Sequence, residues 1–278
     1  MSHFELSVKS TKTHLAKKLG IARSSLYYRH KQSAKDWQTK IKLEETLSDR
    51  ICRSYGHKRL ARHLKINKKR VLRVMKLFGI KPYRRRGKKP FKKSGKSSIS
   101  YPNPLLKMFP SKPNQIWVSD FTYFKFKGKF IYLATIMDIF TREIIGFSVS
   151  NRHGVPLVVN ALLSALNLSA SPEILHSDQG REYTSKTYTT LISIFKIFIS
   201  MSRKASPWEN GYQESFYSQF KVDLGDPDRF DNLGELVAEI RDTIKIYNHD
   251  RIHTSLKMPP RQFAQLNAIL NSSINSGY

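Results

Sequence analysis

Three acidic residues in the second half of the chain stand where solvation alone does not explain them. Asp120 lies inside residues 116–124, an apolar and aromatic stretch of the kind that forms a buried strand and normally excludes charge. Asp178 and Glu214 lie in two further acidic segments, with 35 residues between them. Carboxylate oxygens are the ligands that Mg²⁺ and Mn²⁺ prefer. The pattern therefore predicts a metal site built from Asp120, Asp178 and Glu214.

The chemistry expected at this site follows from the ions it suits. Two divalent ions about 3.5 to 4 Å apart can clamp the attacking and leaving oxygens of a phosphodiester. We therefore expect two Mg²⁺ ions, with Mn²⁺ as a substitute. Asp138 is a rival ligand, but residues 138–142 are typical of a turn in which the aspartate accepts backbone N–H bonds.

Charge is distributed very unevenly along the chain. Residues 1–100 hold 30 Lys and Arg against 5 Asp and Glu, whereas residues 101–278 hold 19 against 16. A strongly basic half favours a polyanionic partner, and double-stranded DNA is the partner we expect. A ribosomal or histone-like protein would be equally basic, but it would not need the aromatic, nearly neutral second half.

Cysteine content and hydropathy exclude other classes of protein. The single cysteine, Cys52, rules out an internal disulfide framework and a cysteine-rich zinc site. The longest apolar stretches are too short or too interrupted to span a bilayer. We expect a cytoplasmic protein without a membrane partner.

Two helix-turn-helix patterns precede the acidic segments. Residues 1–40 contain a weak one, with two short helices expected around Gly20; DNA contact and a supporting role remain equally open for it. Residues 41–82 contain a stronger one, whose second helix ends at Gly79. No acidic residue lies between Arg50 and Asp120. The predicted DNA contacts on this second helix are Lys68, Lys69, Arg70 and Arg73.

Residues 83–112 lose hydrophobic periodicity and are predicted to be a basic linker. Like charges repel and keep such a segment extended, and its Pro and Gly residues oppose helix formation. We expect it to lie along a phosphate backbone, with a solubilising spacer as the alternative. The predicted DNA contacts here are Arg84, Arg85 and Arg86.

Residues 113–278 show the pattern of a mixed α/β domain. Strands are predicted over residues 115–125, 130–138 and 144–150, with turns between them. A helix over 155–168, a strand over 173–177, a helix over 185–195, a strand over 197–201 and a helix through Glu214 follow. The C-terminal helices are predicted over residues 233–247 and 261–270.

Four ordered motifs in this half resemble the DDE transposases and retroviral-type integrases, and within them the OrfB-type transposases of bacterial insertion sequences. They are residues 113–120 (PNQIWVSD), residues 176–180 (HSDQG), Glu214 with Lys221 seven residues later, and residues 247–253 (YNHDRIH). The resemblance covers roughly residues 55–265. It implies an RNase H-like catalytic domain, with a mixed five-stranded sheet and flanking helices, after a small all-α helix-turn-helix region.

The resemblance also implies a function and its partners. A DNA transposase of this kind uses a D-D-E triad for metal-dependent cleavage and strand transfer of element ends into target DNA. It acts as at least a dimer on paired ends, in the bacterial cytoplasm at the nucleoid. A preceding reading frame in this family often adds a DNA-binding segment by frameshifting, so a frameshift product is a candidate partner.

Further residues acquire roles through the same resemblance. The cluster at residues 55–59 matches the tyrosine, glycine and basic residues of the family's helix-turn-helix segment, which adds Lys58 and Arg59 to the predicted DNA contacts. Lys221 shares a helix face with Glu214 and is expected to hold phosphate near the ions, with Lys204 on the preceding loop. The predicted structural supports of the active-site helix are Asn248, Arg251 and His253.

The sequence departs from the family at two acidic positions. Glu182 stands where the family usually has an uncharged residue, and Glu209 replaces a common aspartate, so the role of each remains open. Two alternative functions also remain: a nuclease of the same fold that only hydrolyses, and a non-catalytic DNA-binding regulator. An intact triad argues against the regulator, and the helix-turn-helix patterns argue against a sequence-blind nuclease.

Overall fold

The computed structural model describes residues 12–23, 32–83, 101–106, 108–203 and 210–275. The strands are β1 (Ile116–Phe126), β2 (Lys129–Asp138), β3 (Ile144–Ser150), β4 (Ile174–Ser177) and β5 (Phe198–Met201). They form one sheet in the order β3-β2-β1-β4-β5. β2 pairs antiparallel with β1 and β3, while β4 pairs parallel with β1 and β5. The predicted mixed five-stranded sheet is confirmed.

Helices precede, interrupt and follow this sheet. In the described residues they are α1 (Lys12–Lys18), α2 (Gln32–Ser48), α3 (His57–His63), α4 (Lys68–Leu77), α5 (Val155–Leu166), α6 (Lys186–Ile194), α7 (Gly211–Leu224), α8 (Leu233–His249) and α9 (Pro260–Asn275). The predicted alternation of strands and helices in the second half is confirmed. The second helix of the weak N-terminal pattern lies largely outside the described residues.

The sheet is covered on both faces because its strands alternate two sets of apolar side chains. Ile116 and Val118 of β1 point to the face that packs against α7 and α8. Trp117, between them, points to the face that packs against α5 and α6. Asp120 continues the first set, so its side chain belongs to the face covered by α7.

Gly146 of β3 allows α5 to approach the sheet closely. A Cβ atom at this position would lie 2.6 Å from the carbonyl oxygen of Ala161 and 2.6 Å from the Cβ of Ala165, both on α5. Any larger residue would therefore push the helix away from the strand. This contact fixes one of the two helical layers on the sheet.

Helices α2, α3 and α4 form a small module with its own core. Asn67 caps α4 by accepting a hydrogen bond from the Lys69 N–H at 2.9 Å, and Gly79 follows the helix with a positive φ of 66°. Leu43 of α2 is fully buried in this core together with Leu60 and Val71. The module therefore includes residues 32–40 as well as the predicted 41–82.

Part of the predicted linker packs on the catalytic half. Tyr101 contacts the core between the sheet, α5 and α6, and the carbonyl of Pro102 accepts a hydrogen bond from the Met201 N–H at 3.3 Å. At the other end, the Tyr83 N–H donates to the Arg53 carbonyl at 2.9 Å. The predicted Arg84, Arg85 and Arg86 lie outside the described residues.

No helix in the ranges given above is long and apolar enough to cross a membrane.

Candidate active site

Asp120 and Asp178 lie side by side on adjacent parallel strands. β1 and β4 pair Val118 with His176, and continuing this register by two residues sets Asp120 level with Asp178, just past the end of β4. Neighbouring strands lie about 4.8 Å apart. Asp120 is half-buried, whereas Asp178 is exposed at the strand end. The strands themselves thus bring together two of the three predicted carboxylates.

Helix α7 carries Glu214 to the same place. The Gln213 side chain donates a buried hydrogen bond to the Val118 carbonyl at 2.8 Å, and the Tyr217 hydroxyl donates to the Asp120 carbonyl at 2.6 Å. These bonds hold the first half of α7 across β1. Glu214 lies between the two anchoring residues and is exposed towards the open side of the site.

The anchors of α7 were not predicted. Gln213 and Tyr217 are polar residues spaced by four in a helix, and both are buried. Their spacing on one face of α7 is a signal that sequence analysis could have used, because a buried polar side chain needs a partner on the sheet it packs against.

The three carboxylates share one electrostatic environment. The pKa of Asp120 is raised from 3.8 to about 7, first by burial, then by the negative charge of Asp178 and, to a smaller extent, that of Glu214. The Phe121 N–H, 2.8 Å from the Asp120 carboxylate, and the Lys221 ammonium lower it. The structure therefore groups the predicted triad and Lys221 at one end of the sheet.

Lys221 stands at the edge of this acidic group. Its Nζ lies 5.5 Å from the centroid of the Tyr123 ring and 5.4 Å from that of Phe124. Both distances are within the range of a cation–π interaction. Two helical turns separate Lys221 from Glu214, so the cation and the carboxylate lie on the same side of α7.

The donor atoms at this site fit a divalent ion. The protein would supply only some of the ligands of that ion. Carboxylate oxygens suit Mg²⁺ and Mn²⁺, and a cation would relieve the repulsion that raises the pKa of Asp120. Within the described ranges, no group of three or more His, Cys, Asp or Glu side chains is placed so as to hold a metal ion. Mg²⁺ is commonly held by one or two carboxylates and completed by water and phosphate oxygens.

Glycine at residue 180 gives the Asp178 carboxylate room in the turn that follows it. The Gly180 N–H donates to Asp178 Oδ1 at 2.9 Å. A Cβ atom at residue 180 would lie 2.9 Å from that same oxygen and 3.1 Å from Oε2 of Glu182. The close approach of the backbone therefore orients the Asp178 carboxylate.

Glu182 does not face solvent. It is buried, and its Oε1 lies 3.3 Å from Nε2 of His153. The His153 ring packs in turn against Phe121, with 4.9 Å between ring centroids. Glu182 thus supports the residue that follows Asp120. Glu209, the other acidic departure from the family pattern, lies outside the described residues.

The rival carboxylate, Asp138, has the predicted role of a turn residue. Its Oδ1 accepts hydrogen bonds from the N–H groups of Phe140 at 2.7 Å and Thr141 at 3.1 Å, and its Oδ2 accepts one from Asn114 at 2.6 Å. The side chain is buried. The prediction that Asp138 orders a turn is confirmed.

The lysines predicted to contact DNA from the module are exposed, but the arginines are engaged within the protein. Lys58, Lys68 and Lys69 face solvent. Arg73 forms a two-point ion pair with the buried Asp36, with N–O distances of 2.7 and 2.6 Å. The Arg73 guanidinium therefore holds α2 against α4, and its contact with DNA stays a prediction.

Two other arginines of the module also form hydrogen bonds within the protein. The Arg70 guanidinium donates to the Lys35 carbonyl at 2.5 Å, which again joins α4 to α2. Arg59 is half-buried and donates to the Thr254 hydroxyl at 3.1 Å. Lys204, the remaining predicted contact, lies outside the described residues.

The predicted structural supports occupy different places. The Asn248 side chain bonds both the N–H and the carbonyl of Ile144 on β3, each at 2.9 Å. Arg251 is buried and pairs with Asp223 at the end of α7, with an N–O distance of 2.9 Å. His253 is half-buried, and burial together with the charge of Arg142 lowers its pKa from 6.5 to about 4.

Arg251 also joins the helix-turn-helix module to the catalytic half. Its guanidinium donates to the Ile51 carbonyl at 3.0 Å and to the Ser54 hydroxyl at 2.8 Å. The Tyr55 hydroxyl accepts a hydrogen bond from the Ile252 N–H at 2.9 Å. The two halves of the protein are therefore held together by buried polar contacts.

Comparison with known proteins places this geometry in context. One integrase core domain model matches residues 110–207, and a second integrase core domain model matches residues 196–260. Together these matches span the sheet, α5 to α8 and all three carboxylates. The structure is also similar to that of a simian T-cell lymphotropic virus intasome in complex with PP2A regulatory subunit B56 gamma. That likeness has a TM-score of 0.50 and 19% identity, over 76% of this chain and 70% of that chain.

Two proteins of insertion sequences are similar over most of their length. The transposase for insertion sequence element IS904 of Lactococcus lactis subsp. lactis (strain IL1403) is 35% identical over 208 residues, which are 73% of this chain and 82% of that protein. InsK of Escherichia coli (strain K12), a transposase candidate for insertion sequence element IS150, is 32% identical over 249 residues, covering 85% and 87%. The structural likeness to the intasome supports the RNase H-like fold.

Proposed function

Because this chain belongs to the OrfB-type transposases of bacterial insertion sequences, within the DDE superfamily of polynucleotidyl transferases, we propose that it cleaves the ends of its element and transfers them into target DNA. Asp120, Asp178 and Glu214 are the proposed catalytic triad. The observation that carries this assignment is their convergence from two adjacent parallel strands and from a helix anchored across β1.

The triad would hold Mg²⁺, as two ions, with Mn²⁺ as a substitute. When bound, such ions activate a water or a 3′-hydroxyl for in-line attack on phosphorus and stabilise the leaving oxygen. Asp120 and Asp178 supply ligands from stiff strands, and Glu214 supplies one from α7. Lys221 holds DNA phosphate beside them through its ammonium group. Serine and tyrosine side chains form no covalent bond to DNA in this scheme.

Double-stranded DNA, as element ends and as target, is the proposed partner. Its proposed contacts on the module are the exposed Lys58, Lys68 and Lys69, together with Arg59, Arg70 and Arg73. Arg84, Arg85, Arg86 and Lys204 are proposed as further contacts. The active form is at least a dimer on paired ends, and a frameshift product is a further proposed partner.

Replacing Glu214 by Gln tests the assignment. Glu214→Gln keeps the shape of the side chain and removes one ligand charge, so metal-dependent cleavage and strand transfer should fall by orders of magnitude. Binding of element ends, measured by gel shift, should persist or tighten because less negative charge meets the phosphate. Glu45→Gln, at an exposed position on α2, is the matched control and should leave both unchanged.

Two results would overturn the proposal. Strand transfer that survives Glu214→Gln would remove Glu214 from the triad, and a trapped serine–DNA or tyrosine–DNA adduct would exclude the mechanism. Cleaved ends that are never joined to target DNA would instead identify a nuclease of the same fold.

A further inference from the structure

A second charged site lies on the other side of α7, in the cleft between the module and the catalytic sheet. Here a cavity of about 440 Å³ is lined by four basic side chains. Arg59 comes from α3, Arg142 from the turn between β2 and β3, and Arg251 and His253 follow α8. Within the described part of the chain, no Asp or Glu lines this cavity.

Arg142 contributes a guanidinium that is only partly satisfied. Its Nε and Nη1 atoms are buried and have no hydrogen-bond partner among the described residues. The guanidinium carbon lies 4.1 Å from the centroid of the Tyr212 ring, which holds the group in place. The nearby Asp138 carboxylate already accepts three backbone hydrogen bonds. A buried charge without hydrogen bonds is costly, so Arg142 is suited to an external anion.

The charges around Arg142 are not balanced by acidic residues in the cleft. Asp223 neutralises Arg251 from behind the cavity, at 2.9 Å, and its charge also reaches Arg59, as that of Asp138 reaches Arg142. Neither carboxylate lines the cavity. Burial and the charge of Arg251 lower the pKa of Arg59. The effect of Arg251 shows that cations are crowded together here, and the crowding favours a ligand of negative charge.

The start of α7 adds to the positive potential. Gly211 and Tyr212, the first two residues of this 14-residue helix, line the cavity. The Asn210 side chain does not cap the helix. The first N–H groups of a helix lack intrahelical partners, and its dipole is positive at this end, which together attract oxyanions.

We propose that this cleft is a phosphate-binding site. The planar forks of Arg59 and Arg142 suit the oxygens of a tetrahedral phosphate, and the cavity is large enough to admit one. The phosphate is either a free phosphate ion or ester, or a backbone phosphate of DNA that passes between the module and the catalytic half. The DNA source rests on the proposed function, whereas binding of free phosphate does not.

The site is separate from the triad. Tyr212, Ser215 and Gln219 face the cavity, at the spacing of one helix side, whereas Glu214 and Lys221 share another side of α7. A phosphate in the cleft would therefore lie across the helix from the metal-binding carboxylates. It would belong to a different part of any DNA that also reaches the triad.

Binding of inorganic pyrophosphate to the full chain tests the site. Isothermal titration calorimetry and thermal unfolding are measured for the wild type, for Arg142→Gln and for Arg241→Gln, an exposed position on α8 that serves as the matched control for lost charge. Arg142→Gln should weaken pyrophosphate binding at least tenfold and remove the rise in Tm, and Arg241→Gln should change neither. Equal binding by all three proteins would overturn the proposal.

Arg142→Lys separates loss of the site from a failure to fold. Residue 142 has a positive φ of 64°, so Gln and Lys meet the same backbone strain, but only Lys keeps the charge without the planar fork. Its pyrophosphate affinity should lie between those of the wild type and Arg142→Gln. A Lys variant that folds as the wild type does and binds no more weakly would also contradict a site built on the guanidinium fork.

Binding of double-stranded DNA at several salt concentrations distinguishes the two sources of phosphate. If DNA supplies the group, Arg142→Gln should reduce the slope of log affinity against log salt by about 0.9, the value for one B-DNA phosphate contact. An unchanged slope with lost pyrophosphate binding would identify a free phosphate. If the wild type fails to cleave DNA, the proposed function fails while the pyrophosphate result stands.

Discussion

The two sides of α7 carry opposite excess charge. On one side, Glu214 joins Asp120 and Asp178, and their mutual repulsion contributes to the raised pKa of Asp120. On the other side, Arg59 and Arg142 line a cavity without a described carboxylate. Between them runs a helix held to the sheet by uncharged hydrogen bonds from Gln213 and Tyr217 rather than by ion pairs.

This difference shows what the helix is built to tolerate. Unbalanced like charges destabilise a folded protein, and they cluster at functional sites because a ligand of opposite sign completes them. The neutral anchors Gln213 and Tyr217 keep α7 in place whether or not a ligand occupies either side. A cation on one side and a phosphate on the other would each remove a repulsion, so α7 lies where two ligands can act on one element.

The largest effect is expected from Asp178→Asn. Asp178 is the largest source of charge repulsion on Asp120, so the variant should lose metal-dependent cleavage by orders of magnitude and yet resist urea at least as well as the wild type without metal. Asp242→Asn, at an exposed position on α8, should change neither property. Cleavage that survives Asp178→Asn would contradict the assignment of a metal-binding site to the acidic side of α7.

The next effect compares Arg251, which forms an ion pair with Asp223, with Arg142, which lines a cavity without a described carboxylate. Arg251→Met strands the buried Asp223 and removes the bonds to Ile51 and Ser54, so urea unfolding should show a loss of about 3–5 kcal/mol. Arg142→Gln removes a cation that has no carboxylate in the cleft, and without phosphate it should cost far less stability. Equal losses in the two variants would show that the cleft is not unbalanced.

Sequence patterns predicted the catalytic sheet almost to the residue, because its strands alternate or are continuously apolar. β3 has the predicted limits, β1 is shifted by one residue at both ends, and the other strands differ by one residue at their first end. The triad contexts were equally visible, since a carboxylate such as Asp120 in an apolar strand is conspicuous. Site residues that stand out in their local sequence context can therefore be predicted from sequence.

Helix α2 was not predicted, for a physical reason. The side it buries includes Asp36, Thr39 and Leu43, so a polar pair interrupts the apolar stripe that would mark the helix. Asp36 can be buried only because Arg73, 37 residues later, reaches it with two hydrogen bonds. A pairing at that distance leaves no local signal.

The basic cleft could not be predicted from sequence either. Arg59, Arg142 and Arg251 come from three distant segments, and each taken alone resembles an ordinary surface or turn arginine. Their proximity depends on docking of the module against the catalytic half through Arg251 and Tyr55. The family motifs marked Arg59, Arg251 and His253, but they marked neither Arg142 nor the proximity of these side chains.

A smaller effect should appear in the pH dependence of stability. Burial and the charges of Arg142, Arg59 and Arg251 lower the pKa of His253 to about 4, below its ordinary value of 6.5. The unfolded chain therefore binds this proton more readily, so the contribution is complete above pH 6.5 and is lost as pH falls towards 4. It amounts to at most about 3 kcal/mol, and less where solvent reaches the ring.

His253→Gln should remove that contribution. Urea unfolding of the wild type and the variant, compared at intervals from pH 4 to pH 7, should give a difference that changes across this window. His249→Gln, at an exposed position, should give a difference that stays flat. Added pyrophosphate should shrink the effect of His253, since an anion in the cleft offsets the arginine charges. A flat difference for His253→Gln would mean that the arginines do not crowd it.

The smallest effect concerns Lys221, whose positive charge lowers the pKa of Asp120. Lys221→Gln should reduce the slope of log affinity for double-stranded DNA against log salt by about 0.9, one B-DNA phosphate contact. Lys245→Gln, exposed on α8, should leave the slope unchanged. Because Lys221 and Arg142 lie on different sides of α7, combining Lys221→Gln with Arg142→Gln should add the two reductions if DNA reaches both sides. If the double variant has the same slope as Lys221→Gln alone, DNA binds only on the side of the carboxylates. The cleft would then bind free phosphate.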